Sequence, residues 1–116
     1  MLTPFEIQEA IESELDRMEN LIDELRTAAV ESARAEADFK VGFAKARLLA
    51  RHEGAESGVK VTQDLAEDTA TVATEDARYA YLLAQNNIVS LREAIKASQS
   101  HLDGLRTLAA SHRHTP

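Results

Sequence analysis

The sequence predicts an all-α protein: a long antiparallel helical hairpin of two helices that assembles into a four-helix bundle or higher oligomer. Three observations carry this expectation. The first is an apolar rhythm in alternating steps of three and four. It reads Ile11, Leu15, Met18, Ile22, Leu25, Ala29, then Phe39, Phe43, Ala46 and Ala50; later it reads Ala66, Ala70, Ala73, Ala77, Ala80, Ala84, then Leu91, Ile95, Ser98, Leu102, Leu105 and Ala109. Such steps keep every residue on one seam of a supercoiled helix. The second is that the rhythm breaks at one place, Glu53-Gly54-Ala55-Glu56-Ser57-Gly58. The third is composition: aromatics are 4 % of the 116 residues, Trp is absent, and Ala and Leu supply most of the apolar content. Long helices have that composition; compact cores do not.

The elements follow in order, within a single domain spanning 1–116. The first helix is expected over 4–53. Thr3 can cap it, Pro4 suits the first helical position, Glu6 completes a Thr-x-x-Glu capping box, and Leu2 with Ile7 are spaced as a hydrophobic staple. Gly54 stands where a left-handed residue would end the helix, and the turn is read as 54–61. The second helix is expected over 62–111, with Thr62 as cap and Asp64, Glu67 and Asp68 favouring the positive end of its dipole. A frayed tail is expected over 112–116. Each helix comes out near 50 residues, roughly 70 Å long.

Charge supports folding back. Met1 to Asp38 carries eleven acids against Arg17, Arg26 and Arg34, whereas Lys40 to Arg51 carries Lys40, Lys45, Arg47 and Arg51 with no acid. The second helix repeats the order, with Asp64, Glu67, Asp68, Glu75 and Asp76 early and Arg78, Arg92, Lys96, Arg106 and Arg113 later. An antiparallel hairpin sets acidic segments against basic ones at both ends. Acids at helix starts and bases at helix ends also answer the helix dipole, which is the other reading of the same pattern.

The seam changes character along its length. Near the turn the alanines from Ala66 to Ala84 face Phe39 and Phe43, and Gly42 invites close approach. Toward the termini it becomes Ile, Leu and Met, with further apolar residues off the seam at Phe5, Ile7, Leu21, Leu82, Ile88, Val89 and Leu108. A two-helix pair cannot bury them all. The surplus marks an oligomer interface, expected at Ile11, Leu15, Leu21, Ile22, Ile88, Leu91, Ile95, Leu102, Leu105 and Leu108.

The sequence offers little for chemistry. Without cysteine there are no disulfides, thiolate metal sites or cysteine nucleophiles. His52-Glu53 begins like a zinc-binding His-Glu-x-x-His motif, but no second His follows, and His101, His112 and His114 form no ligand set. The four glycines are scattered, which rules out a phosphate-cradling loop. The chain therefore reads as not an enzyme, with no catalytic residue, metal or cofactor. Glu36 on the seam and Asn86-Asn87 in the second helix are either polar register positions or places where the helix rotates outward. A net charge of -7 argues against DNA, RNA or anionic lipid as main partner. The basic row Arg34, Lys40, Arg47 and Arg51 beside Phe39 and Phe43 keeps a nucleic-acid alternative open, with phosphates on the bases and bases stacked on the rings. No segment reads as a signal peptide or membrane span, and a cytoplasmic location is expected.

The segment Glu36-Ala37-Asp38-Phe39-Lys40 with Ala44-Lys45-Ala46, and the closing Leu102-Asp103-Gly104-Leu105-Arg106-Thr107-Leu108-Ala109-Ala110-Ser111, resembles small helical coiled-coil proteins encoded by tailed bacteriophages. The resemblance implies an accessory protein in the cytoplasm of a bacterial host, engaging a host or phage protein. Its alternative is a nucleic-acid-associated factor in phage recombination or replication.

Overall fold

The computed structural model describes residues 2–114. The protein is all-α, with α1 over Pro4–Glu56, α2 over Gln63–Ala73 and α3 over Glu75–His114, and no strand among the described residues. No described helix is long and apolar enough to cross a membrane. The chain divides into two compact units: unit 1 joins Met1–Ala28 with Asn87–Pro116, and unit 2 is Ala29–Asn86.

Helix starts follow the sequence closely. Thr3 Oγ1 accepts from the Glu6 backbone N–H at 3.1 Å, and Ile7 N–H donates to the Thr3 carbonyl at 2.9 Å. Thr62 does the same for α2, accepting from Leu65 N–H at 3.2 Å with φ -71 and ψ 162. Both caps satisfy backbone donors that a helix start leaves without partners.

The end of α1 differs from expectation. It runs past Gly54 to Glu56, and Gly58, at φ 73, is the left-handed residue. Gly58 N–H donates to Ala55 O at 3.3 Å and Val59 N–H to Gly54 O at 2.8 Å. These are the two bonds of a Schellman motif, which returns the last carbonyls to partners. Gly54 serves space instead. It is buried, and a Cβ there would overlap the Val61 γ-methyl and meet the Val59 carbonyl at 3.0 Å. Gly42, by contrast, has room: an added Cβ would meet the Thr74 γ-methyl at an ordinary 3.7 Å.

The expected helix over 62–111 is two helices, interrupted at Thr74, where φ is -110 and ψ 20. The cause is local. Thr69, Thr71 and Thr74 each turn Oγ1 back to the carbonyl four residues earlier, at 2.8, 2.9 and 2.7 Å. Back-bonding of this kind weakens and bends a helix, and the β-branched Thr71, Val72 and Thr74 add low propensity. Arg78 N–H still reaches Thr74 O at 2.9 Å, so α3 starts immediately. It continues through His112, Arg113 and His114, where a frayed tail was expected; Thr115 and Pro116 lie outside the described residues.

Each unit is an antiparallel helix pair. In unit 1, a groove at the start of α1 joins Pro4, Gln8 and Ile11 to Ala109, His112 and Arg113, whereas Leu25 meets Val89, Arg92 and Ile95. Its seam on α1 is Ile7, Ile11, Glu14, Met18, Leu21, Leu25 and Ala28; on α3 it is Ile88, Leu91, Ile95, Ser98, Leu102, Leu105, Ala109 and His112. These steps of three and four are regular, but at three places α1 sits one residue from the sequence reading, one of them Leu21 for Ile22, both half-buried. Glu14 is buried where Leu15 was expected, and Ala28 where Ala29 was.

In unit 2 the seam is Ser32, Ala35, Phe39, Gly42, Ala46, Ala50 and Gly54 against Ala66, Ala70, Thr74, Ala77, Tyr81 and Ala84. Thr74 and Tyr81 replace the expected Ala73 and Ala80, which are exposed. Glu36 sits half-buried beside the seam and reaches Lys40 at 2.7 Å, and Asn86 and Asn87 are exposed, so none of the three is a seam residue. Successive steps of four occur on both helices near the turn, from Gly42 to Gly54 and from Ala66 to Thr74. Matched interruptions of the heptad unwind both helices together and keep them in phase.

Gly58→Ala is expected to cost about 1–2 kcal/mol from its left-handed backbone. Gly54→Ala should cost more and displace Val61, because its conflict is steric; denaturant melts comparing the two check the order. Leu102→Ala, which truncates a buried seam residue, is expected to lower stability by about 2–5 kcal/mol in the same assay.

Candidate interaction surfaces

Unit 1 contains one buried polar cluster. Seam geometry brings Glu14 of α1 inward against Ser98 and His101 of α3. Glu14 is 6 % exposed, and Ser98 is 1 % exposed and donates to Glu14 Oε1 at 2.6 Å. His101 Nδ1 lies 3.0 Å from Oε2, with the imidazole otherwise facing solvent. The Ser98 hydrogen bond holds the Glu14 carboxyl below the usual glutamate range; desolvation opposes this, and His101 and Arg17 assist it. An ionised carboxylate only accepts, so both partners must present a proton to it. Ser98 is too deeply enclosed to meet a substrate, and its proton is committed. The trio is a buried polar lock within a helix pair, and such groups are best attested as setting register.

Sequence reasoning did not select Glu14, because an apolar pattern prefers its neighbour Leu15, which is 40 % exposed. The available signal was the strict sevenfold spacing from Ile7 through Glu14, Leu21 and Ala28. His101 combines a solvent-facing ring with one seam-side nitrogen on Glu14.

The expected oligomer residues scatter. Leu91, Leu102 and Leu105 are buried inside unit 1, so their apolar area is already used by the intramolecular pair. Ile11, Leu21, Ile22, Ile88 and Ile95 are half-buried along the same pair. Leu15 and Leu108 remain exposed, with Leu2, Phe5 and Val89 nearby in sequence.

The expected nucleic-acid row lies in unit 2. Arg34, Lys40 and Arg51 are exposed and Arg47 is half-buried. The hydrogen bond from Lys40 to Glu36 raises the lysine pKa and attaches its charge to a carboxylate of the same helix. The aromatic rings are engaged elsewhere. Phe39 and Phe43 meet edge to face at 6.2 Å, and Phe39 stacks on Tyr81 at 5.9 Å with an interplanar angle of 20°. No ring of the three is a free platform for a base.

Charge across the helix pairs is not realised as contact. Arg26–Asp23, Lys40–Glu36, His52–Glu56 and Lys96–Glu93 all lie within one helix turn, and His101–Glu14 alone crosses between helices among the described residues. The seam of unit 2 carries no charged side chain on either side, and the charges lie outside it, where opposite segments attract only through water. No group of three or more His, Asp or Glu is placed to hold a metal ion among the described residues.

What unit 2 does present is apolar surface on its outer faces. On α1, Val30, Ala37, Val41, Ala44 and Leu48 recur in steps of seven, four, three and four, directly opposite the seam. Val30, Val41 and Leu48 are 52–66 % exposed. On α2 and α3, Leu65, Val72, Tyr79 and Leu83 recur in steps of seven, seven and four, also opposite the seam, and are 50–75 % exposed. Outer positions of a solvated coiled coil are normally polar, and these two stripes depart from that pattern.

Compared with protein-family models, curated proteins and solved structures, the chain matches none.

Acidification should report on the Glu14 lock. A carboxyl whose folded pKa is depressed stabilises fully above its unfolded value, about 4.3, and loses that contribution as pH falls through the lower folded value. Glu14→Gln is therefore expected to melt lower than the parent near pH 7 and to converge with it as pH falls through the lowered folded value. Thermal circular-dichroism melts across that range check it; parallel pH profiles would contradict it.

Proposed function

We propose that this protein is a non-catalytic, homo-oligomeric coiled-coil protein that acts through protein–protein contacts. Within that reading it is a phage accessory protein of the bacterial cytoplasm, engaging a host or phage partner without a cofactor. The observation that supports it is the surplus of apolar residues on the outer faces of unit 2, where a lone helix pair has nothing to bury. Oligomerisation removes that area from water at about 25 cal/mol per Å² before association costs are subtracted. The smallest such assembly sets two helix pairs side by side as four helices.

The interface moves relative to the sequence expectation. Leu91, Leu102 and Leu105 hold unit 1 together, so replacing them tests folding rather than assembly. Val41, Leu48, Val72 and Tyr79 are the residues whose exposure asks for a partner. The nucleic-acid alternative keeps the charges of Arg34, Arg47 and Arg51, while its stacking component loses Phe39 and Phe43 to each other and to Tyr81.

Light scattering at micromolar concentration is expected to give a mass above that of one chain. Val41→Asp combined with Leu48→Asp should reduce the mass while leaving helicity intact, since both side chains are exposed. A monomeric, fully helical parent protein would contradict the proposal.

A further inference from the structure

The two outer stripes of unit 2 differ in the charge that borders them. The α1 stripe has Glu31, Arg34, Glu36 and Asp38 beside its first half, and four bases with no acid beside its turn-proximal half, from Lys40 to Arg51. Along the stripe of α2 and α3, Asp64 to Asp76 carries Asp64, Glu67, Asp68, Glu75 and Asp76 and no base. The two clusters have nearly equal length, about 17 Å at the helical rise. Lys45, Arg47, Arg51, Asp64, Asp68, Glu75 and Asp76 make no ion pair among the described residues. One face is thus apolar and basic, the other apolar and acidic, and they lie on opposite sides of the same unit.

We infer that the occupant of each face is a second copy of this chain, with the α1 stripe of one copy seated on the α2–α3 stripe of the next. This rests on the homo-oligomeric reading above and specifies its contact. Like faces would meet like charge, which is destabilising whether base faces base or acid faces acid. Unlike faces bury Val41 and Leu48 against Val72 and Tyr79 while basic and acidic borders neutralise each other. The contact is heterologous, because each copy contributes a different face to each of its two neighbours. Successive copies lie side by side with their neighbouring helices antiparallel, as within unit 2, where Phe39 meets Tyr81 and Gly42 approaches Thr74. Carried to the next copy, that register sets Arg47 near Asp68 and Arg51 near Asp64.

Complementary charge reversal tests this. One variant carries Lys45→Glu, Arg47→Glu and Arg51→Glu; the other carries Asp64→Lys, Asp68→Lys and Asp76→Lys. Each alone is expected to fall to the mass of one chain in light scattering, at unchanged helicity. Their equimolar mixture should recover the parent mass, because both contacts between unlike variants are attractive. Retention of the parent mass by either variant alone, or failure of the mixture to recover it, overturns the face-to-face assignment while leaving oligomerisation standing. A monomeric parent overturns the oligomer itself.

Cross-linking provides a second readout that tolerates a poorly folded variant. The chain has no cysteine, so single replacements report cleanly. Leu48→Cys mixed with Thr69→Cys is expected to form a mixed disulfide, and Leu48→Cys alone none. A disulfide of Leu48→Cys with itself would place two α1 faces together and overturn the inference.

Discussion

A helix in a two-helix pair can bury one stripe, and this chain has more apolar stripes than a pair has seams. That geometric constraint governs the rest. In unit 1 most of the aliphatic residues fall near the seam, and Leu91, Leu102 and Leu105 disappear into it. In unit 2 the seam is built from small residues and two aromatic rings, and larger aliphatics such as Val41, Leu48 and Val72 are left on the outer faces. The alanine-lined seam lets the helices come close, but it contributes little buried area per residue. Unit 2 has the weaker interior and the more apolar exterior, a combination that association would correct.

Glu14 gives unit 1 a different solution. A carboxylate on the seam must find donors or forfeit its hydration, and Ser98 and His101 supply them at 2.6 and 3.0 Å. Sliding α3 by one turn would withdraw both donors and leave an ionised group enclosed without partners. The resulting penalty discriminates against shifted registers more sharply than interchangeable leucines could. The same logic explains why Leu15 points outward. The helix rotates to keep its sevenfold spacing, and one polar residue inside is tolerated because it is fully paired.

The sequence made the helix starts legible because capping is local: Thr3 and Thr62 act on backbone groups three residues away. The all-α class was legible for a similar reason, since periodicity survives single substitutions. The seam's rotational setting was less so. Hydrophobicity alone favours Leu15 over Glu14 and Ala80 over Tyr81, and only pairing across the helices shows which residue turns inward. Gly54 was expected to end the helix, and Gly58 does; the distinction depends on Val61 packing over Gly54, a contact made by the returning chain. The interruption at Thr74 depended on three threonines bonding back to their own helix, which composition hints at and geometry reveals. The burial of Leu91, Leu102 and Leu105 inside unit 1 was not legible either. Leucines look like surplus until their intramolecular partners are known.

The sharpest single measurement is side-chain footprinting by hydroxyl radicals as a function of protein concentration. Joining of copies through unit 2 requires Leu48, Val72 and Tyr79 to become protected as concentration rises, while Phe5 and Leu108 label equally throughout. Unchanged labelling of the unit 2 residues from nanomolar to high micromolar concentration, or protection confined to Phe5 and Leu108, would contradict it.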